Sequence, residues 1–98
     1  MNIIKTQNGE NLTVKVEGRL DTVTAPQLDS ELKASIEGIK TLTLDFSALE
    51  YISSAGLRVL LSMQKLMNKQ GEMIVKGSSA AILEIFEVTG FIDLLNIE

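Results

Sequence analysis

The chain predicts an α/β domain, a central mixed sheet with helices mainly on one face, on three observations. Apolar residues alternate singly with polar ones at Leu12, Val14 and Val16 and again at Leu42, Leu44 and Phe46. They recur at three- and four-residue spacing at Ala25, Leu28, Leu32 and Ile36, and across Leu57, Leu60, Leu61, Met63 and Met67. Gly, Ser, Thr and Pro stand at nearly every junction between the two periods. With 98 residues and no linker, repeat or low-complexity stretch, the expectation is one domain over residues 1–98.

The elements follow in order. Ile3 to Thr6 reads as a short strand, Asn8-Gly9 as a turn, and Leu12 to Val16 as the second strand of a hairpin that ends at Gly18. Thr24 before Ala25-Pro26 places a hydroxyl at a helix start with proline in the first turn, and Gly38 marks the end. A strand through Leu42, Leu44 and Phe46 leads into a loop, Ser47 to Ser53. The longest helix opens at Ser54-Ala55-Gly56 and closes at Gly71; Arg58, Ser62, Lys65 and Lys69 form its polar stripe. Met73 to Val75 is a short buried strand. Ser79 caps a last helix with Ile82, Leu83, Ile85, Phe86 and Val88 inside, and Gly90 ends it. Phe91 to Ile97 returns as a helical turn or an edge strand. The order is ββαβαβα with a tail, and right-handed crossovers make the later strands parallel.

Composition removes several kinds of chemistry. There is no cysteine and no histidine, which excludes disulfides, thiol and imidazole catalysis, a Cys/His zinc site and a histidine phosphoacceptor. Nine basic against thirteen acidic residues leave a net charge of -4, and the basic residues are scattered, so neither nucleic acid nor an anionic membrane is the expected partner. No apolar stretch has the length of a membrane span and Met1 to Lys5 does not read as a signal peptide, so the expected location is the cytoplasm. No carboxylate pair is placed for acid–base work and no phosphate-binding glycine loop is present; the expectation is a protein that is not an enzyme and carries no cofactor or metal. The methionines in and beside the long helix read as core filler.

Two segments carry a resemblance. Leu49-Glu50-Tyr51-Ile52-Ser53-Ser54-Ala55-Gly56-Leu57-Arg58-Val59 is similar to the signature of the STAS family, shared by bacterial anti-sigma factor antagonists and anion-transporter tails. Gly18-Arg19-Leu20-Asp21-Thr22-Val23-Thr24-Ala25 resembles that family's Gly-x-Leu-Asp-x-x-Thr-Ala segment, which joins the second strand to the first helix. The Gly71-Glu72-Met73 turn fits as well. The antagonists' loop usually reads Asp-Ser-Ser/Thr-Gly-Leu-Gly-Val, with the serine after the Asp as phosphoacceptor. Anchored on Gly56-Leu57, that Asp falls on Ser53, the phosphoacceptor on Ser54 and the following residue on Ala55. Besides Ala55 at the Ser/Thr position, two departures matter: Ser53 replaces the acidic residue, and Arg58 replaces a glycine and puts a cation in the first turns of a helix, where the dipole does not favour it.

The resemblance implies a phosphorylation-controlled partner switch, an anti-sigma factor antagonist that binds an anti-sigma factor serine kinase when unphosphorylated and leaves it once Ser54 is modified. A phosphoprotein phosphatase would reset it. Asp21, Thr22, Ser53, Ala55, Gly56 and Arg58 are then the expected partner-binding residues, on a monomer or weak dimer. From spacing alone Ser53 and Ser54 are a helix-capping pair, and Asp21 reads equally as a turn residue or a docking acid. The alternatives are a constitutive STAS subunit of a stress-signalling complex or lipid-transport ATPase and, from another class, a weak nucleotide-binding protein.

Overall fold

A computed structural model describes all 98 residues. Strands β1 (Asn2–Asn8) and β2 (Asn11–Leu20) form an antiparallel hairpin in which Asn8 faces Asn11. Both strands are longer than their alternation predicts. Of the turn dipeptide only Gly9 takes a positive φ, 63°, so the bend is made by Gly9 and Glu10 and Asn8 stays in the ladder. Strand β3 (Thr41–Asp45) runs parallel to the first half of β2, with Leu12 beside Leu42 and Val14 beside Leu44.

Gly18 does not end β2. With φ at 96° it lies at a shift of register, where Gly18 pairs Leu49 but Arg19 pairs Tyr51. The positive φ of Gly18 lets β2 turn there and run on to Leu20, while the extra residue of the bulge, Glu50, stands on the partner strand. The last residues of β2 pair with a strand that the sequence pattern reads as loop, β4 (Leu49–Ile52). The fifth strand, β5 (Glu72–Lys76), is parallel to β3, so the sheet is mixed, with order β1-β2-β3-β5 and β4 on β2. The tail supplies both of its expected forms: a 3-10 turn at Phe91–Asp93, then a bridge from Ile97 to Val75.

The helices are α1 (Ala25–Ser35), α2 (Ser54–Gln70) and α3 (Ala80–Thr89). Alternation in the strands decides where they pack. Leu12, Val14, Val16, Leu42, Leu44, Met73 and Val75 are buried, and they meet Leu28 and Leu32 of α1, Leu60, Met63 and Met67 of α2, and Ile82 and Phe86 of α3 in one cluster. Thr13, Lys15, Thr43 and Asp45, on the other face, stay half-buried. The three methionines Met63, Met67 and Met73 are core, as expected.

Helix ends hold two further findings. The Thr24 hydroxyl makes no cap bond to α1; it accepts from the Asp21 amide at 2.8 Å and donates to the Arg19 carbonyl at 2.8 Å. At the other end, the Gln70 amide donates to the Ile36 and Ile39 carbonyls, both at 2.7 Å, so the end of α2 ties down the turn that follows α1. In α3, Val88 is 77% exposed rather than inside, because Ile82 and Phe86 already set the buried stripe one turn apart.

Candidate phosphorylation and docking surface

The two segments that carry the family resemblance meet at the carboxyl ends of β2 and β4. The Ser53 amide donates to the Leu20 carbonyl at 2.8 Å and fastens the start of α2 to the end of β2. The Ser53 side chain is the N-cap and accepts from the Gly56 amide at 3.3 Å. Ser54 is the first residue of α2, and it is exposed. The two serines therefore divide the work: Ser53 holds the helix start, and the Ser54 hydroxyl is left free of that task.

Gly56 is buried on the helix face turned to the sheet. A Cβ there would lie 2.7 Å from Leu20 Cγ and 2.9 Å from Ile52 Cγ1, so only glycine lets α2 come down onto the two strand ends. Buried there, it sets how closely the start of α2, and Ser54 with it, sits on those strand ends. Leu57, buried, follows it, while Ala55 and Arg58 face outward to differing degrees: Ala55 is half-buried and Arg58 exposed.

The loop from β2 to α1 forms the second wall. One Asp21 carboxylate oxygen accepts from the Val23 amide at 3.0 Å and the Thr24 amide at 3.1 Å. The backbone bond from Thr24, seconded by Val23, the Thr24 hydroxyl and the Arg19 charge, holds this carboxyl below the ordinary 3.8. Asp21 is thus the turn residue of its loop. Its other oxygen lies 3.9 Å from Arg19 Nε, and the Arg19 guanidinium sits 4.4 Å above the Tyr51 ring. Neither Arg19 nor Tyr51 is marked by the motif spacing; the unpredicted β4 brings Tyr51 opposite Arg19. Val23, 85% exposed, crowns the loop.

An open groove runs between α1 and α2. Thr22, Pro26 and Asp29 line it from one side, Ala55, Arg58 and Ser62 from the other. Three of the expected partner-binding residues, Thr22, Ala55 and Arg58, lie together here. Asp21, Ser53 and Gly56 instead build the frame beneath. Asp29 is paired within α1 to Lys33 at 3.1 Å. Arg58 takes part in none of the four ion pairs of the structure. No helix is long and apolar enough to cross a membrane.

Comparison with known proteins follows the same architecture. The STAS domain family model matches residues 2–98. The chain is 37% identical over 81 residues to BtrV of Bordetella bronchiseptica, covering 81% of this chain and 70% of that protein. It is 32% identical over 98 residues to the anti-sigma-B factor antagonist of Listeria monocytogenes, covering 97% of this chain and 85% of that one. Among solved structures, an anti-sigma factor antagonist from Mycobacterium paratuberculosis superposes with a TM-score of 0.88 at 25% identity, over 98% of this chain and 83% of that chain. With the motif segments, the superposed fold and the match over nearly every residue in agreement, this chain belongs to the STAS domain family.

Proposed function

We propose that this protein is an anti-sigma factor antagonist switched by phosphorylation of Ser54. Relatives that carry the antagonist name align with it along nearly its whole length. One observation supports the position of the switch: Ser54 is exposed at the first residue of α2, while Ser53 and Gly56 hold the helix start without it. A phosphate at that point meets unpaired backbone N–H groups and the positive end of the helix dipole, so modification leaves the fold intact.

The unphosphorylated surface around Ser54, Thr22, Ala55 and Arg58, framed by Asp21, Ser53 and Gly56, docks an anti-sigma factor of the serine-kinase type in the cytoplasm. The kinase then transfers the ATP γ-phosphoryl to the Ser54 hydroxyl oxygen, the hydroxyl proton leaves, and ADP departs. The antagonist is substrate and ligand in this step, not catalyst. A charge gates an interface best from within it. At the rim it is screened over about 8 Å at physiological salt, whereas inside it must be desolvated against the partner's surface and lowers affinity steeply. A phosphoprotein phosphatase restores the binding form.

Titration calorimetry of the purified chain against the anti-sigma factor tests this. The wild-type chain and Ser54→Ala are expected to bind alike, and chain carrying phosphate on Ser54 to bind at least tenfold more weakly, about 1.4 kcal/mol. Equal affinity of modified and unmodified chain contradicts the switch and favours a constitutive scaffold.

A further inference from the structure

We infer that Arg58 is the intramolecular receiver of the Ser54 phosphate: on modification it pairs with the phosphoserine one turn earlier and leaves the α1–α2 groove. The inference rests on Ser54 being the modified residue, and it concerns how the modification is read.

Three observations carry it. First, Ser54 and Arg58 are four residues apart on α2 and both exposed, the spacing at which side chains on a helix surface meet. Helical side chains lean toward the N-terminus, so the long Arg58 side chain leans toward the turn that holds Ser54. Secondly, Arg58 is shared between two faces. At about 100° per residue it lies roughly 40° round from Ser54, while Ala55 and Ser62, which line the groove, lie roughly 100° and 80° round. A modest change of rotamer takes the guanidinium from one to the other. Thirdly, the acids nearby are engaged. Asp21 is held by the Val23 and Thr24 amides, and Asp29 by Lys33, so no carboxylate of the chain forms an ion pair with Arg58.

The consequence is a switch with two effects. A dianionic phosphate offers bidentate acceptors that suit a guanidinium. Once paired, the start of α2 gains negative charge, and the groove loses the one cation that its α2 wall presents. An acidic group of the partner seated on Arg58 would lose its counter-charge and face a phosphate in the same event. Arginine in a helix's first turns opposes the dipole when the serine is bare; the phosphate reverses that relation.

The test avoids kinase and partner altogether. Phosphoserine is placed at position 54 by genetic encoding, and the second ionisation of the phosphate is followed by phosphorus NMR from pH 4 to 8. R58Q in the same phosphorylated chain is expected to raise that pKa by about 0.2–0.4 unit, the effect of losing one helical ion pair. R58K should fall between the two, and K65Q, two turns further on, should leave it unchanged. The helix dipole acts in every variant and cancels from the comparison. Identical phosphate titrations in the wild-type and R58Q chains, with unchanged far-UV circular dichroism, overturn the pairing and leave the proposed switch standing. A shift with R58Q supports the pairing whatever the separate site mapping with a kinase returns, and absence of phosphate on Ser54 in that mapping would overturn the switch alone.

Discussion

Gly56 and Leu20 are in contact so close that no side chain fits between them: a Cβ on Gly56 would stand 2.7 Å from Leu20 Cγ. The helix start, the end of β2 and the end of β4 are therefore one packed unit, and Ser54 rides on it. Gly56→Ala should destabilise the protein by about 1–3 kcal/mol through overpacking. Chemical denaturation measures this, and a midpoint equal to wild type would show that the strand ends yield freely.

Leu60 is fully buried on α2, among the core residues of the sheet and the other helices. Leu60→Ala should cost roughly 2–5 kcal/mol, the transfer of the lost carbons plus the cavity they leave. An unchanged urea midpoint would mean that the helix presents another face to the core.

Acid should weaken the fold through two carboxylates. Backbone bonding from Thr24 lowers Asp21 below 3.8, and backbone bonding from Ser47, helped by Lys76 and Lys15, lowers Asp45. A carboxyl whose folded value is depressed stabilises the protein above its unfolded value and ceases to do so as pH falls through its folded value. Stability should thus be steady above about pH 5 and fall below pH 3.8. In denaturation series from pH 5 to 2, Asp21→Asn and Asp45→Asn should each flatten that fall. A slope as steep in both variants as in wild type would place the acid sensitivity elsewhere.

Much of this was legible in the residues, and the misses have physical causes. Strands β2 and β3 and helices α1 and α2 have one buried and one solvated face, so their periods are plain: Val14 and Leu44 alternate, and Leu28 and Leu32 recur one turn apart. Strand β4 has no such signal. It is four residues long, with Leu49 and Ile52 buried and Glu50 and Tyr51 both exposed, because Glu50 is the extra, unpaired residue of a bulge opposite Gly18 and Arg19. Helix α3 is apolar on several sides, so its pattern does not choose a face, and Val88 ended outside. At the site, the family resemblance marked Ser54, Asp21 and Arg58, where spacing alone left the two serines a capping pair. It did not mark the Arg19–Tyr51 stack, which depends on β4, nor Pro26 and Asp29, which belong to the groove only once α1 lies beside α2.

The two serines should separate cleanly in mutants. Ser53→Ala removes the N-cap and should cost about 1 kcal/mol of stability, yet the chain should still be phosphorylated much as wild type. Ser54→Ala should keep its stability and partner binding but accept no phosphate. Ser54→Asp should bind more weakly than wild type, though less weakly than the phosphorylated chain, since a carboxylate carries less charge than phosphoserine. Denaturation and calorimetry on the three variants check this, and loss of phosphorylation in Ser53→Ala with retention in Ser54→Ala would reverse the roles.

Site mapping by mass spectrometry tests the switch most directly. The chain is incubated with an anti-sigma factor of the serine-kinase type and ATP, digested, and the peptides spanning Ser53 and Ser54 are fragmented. The account predicts one phosphate, on Ser54, whose hydroxyl is exposed at the first residue of α2 while Ser53 caps the helix. Phosphate on Ser53 alone, or on neither serine, would contradict it.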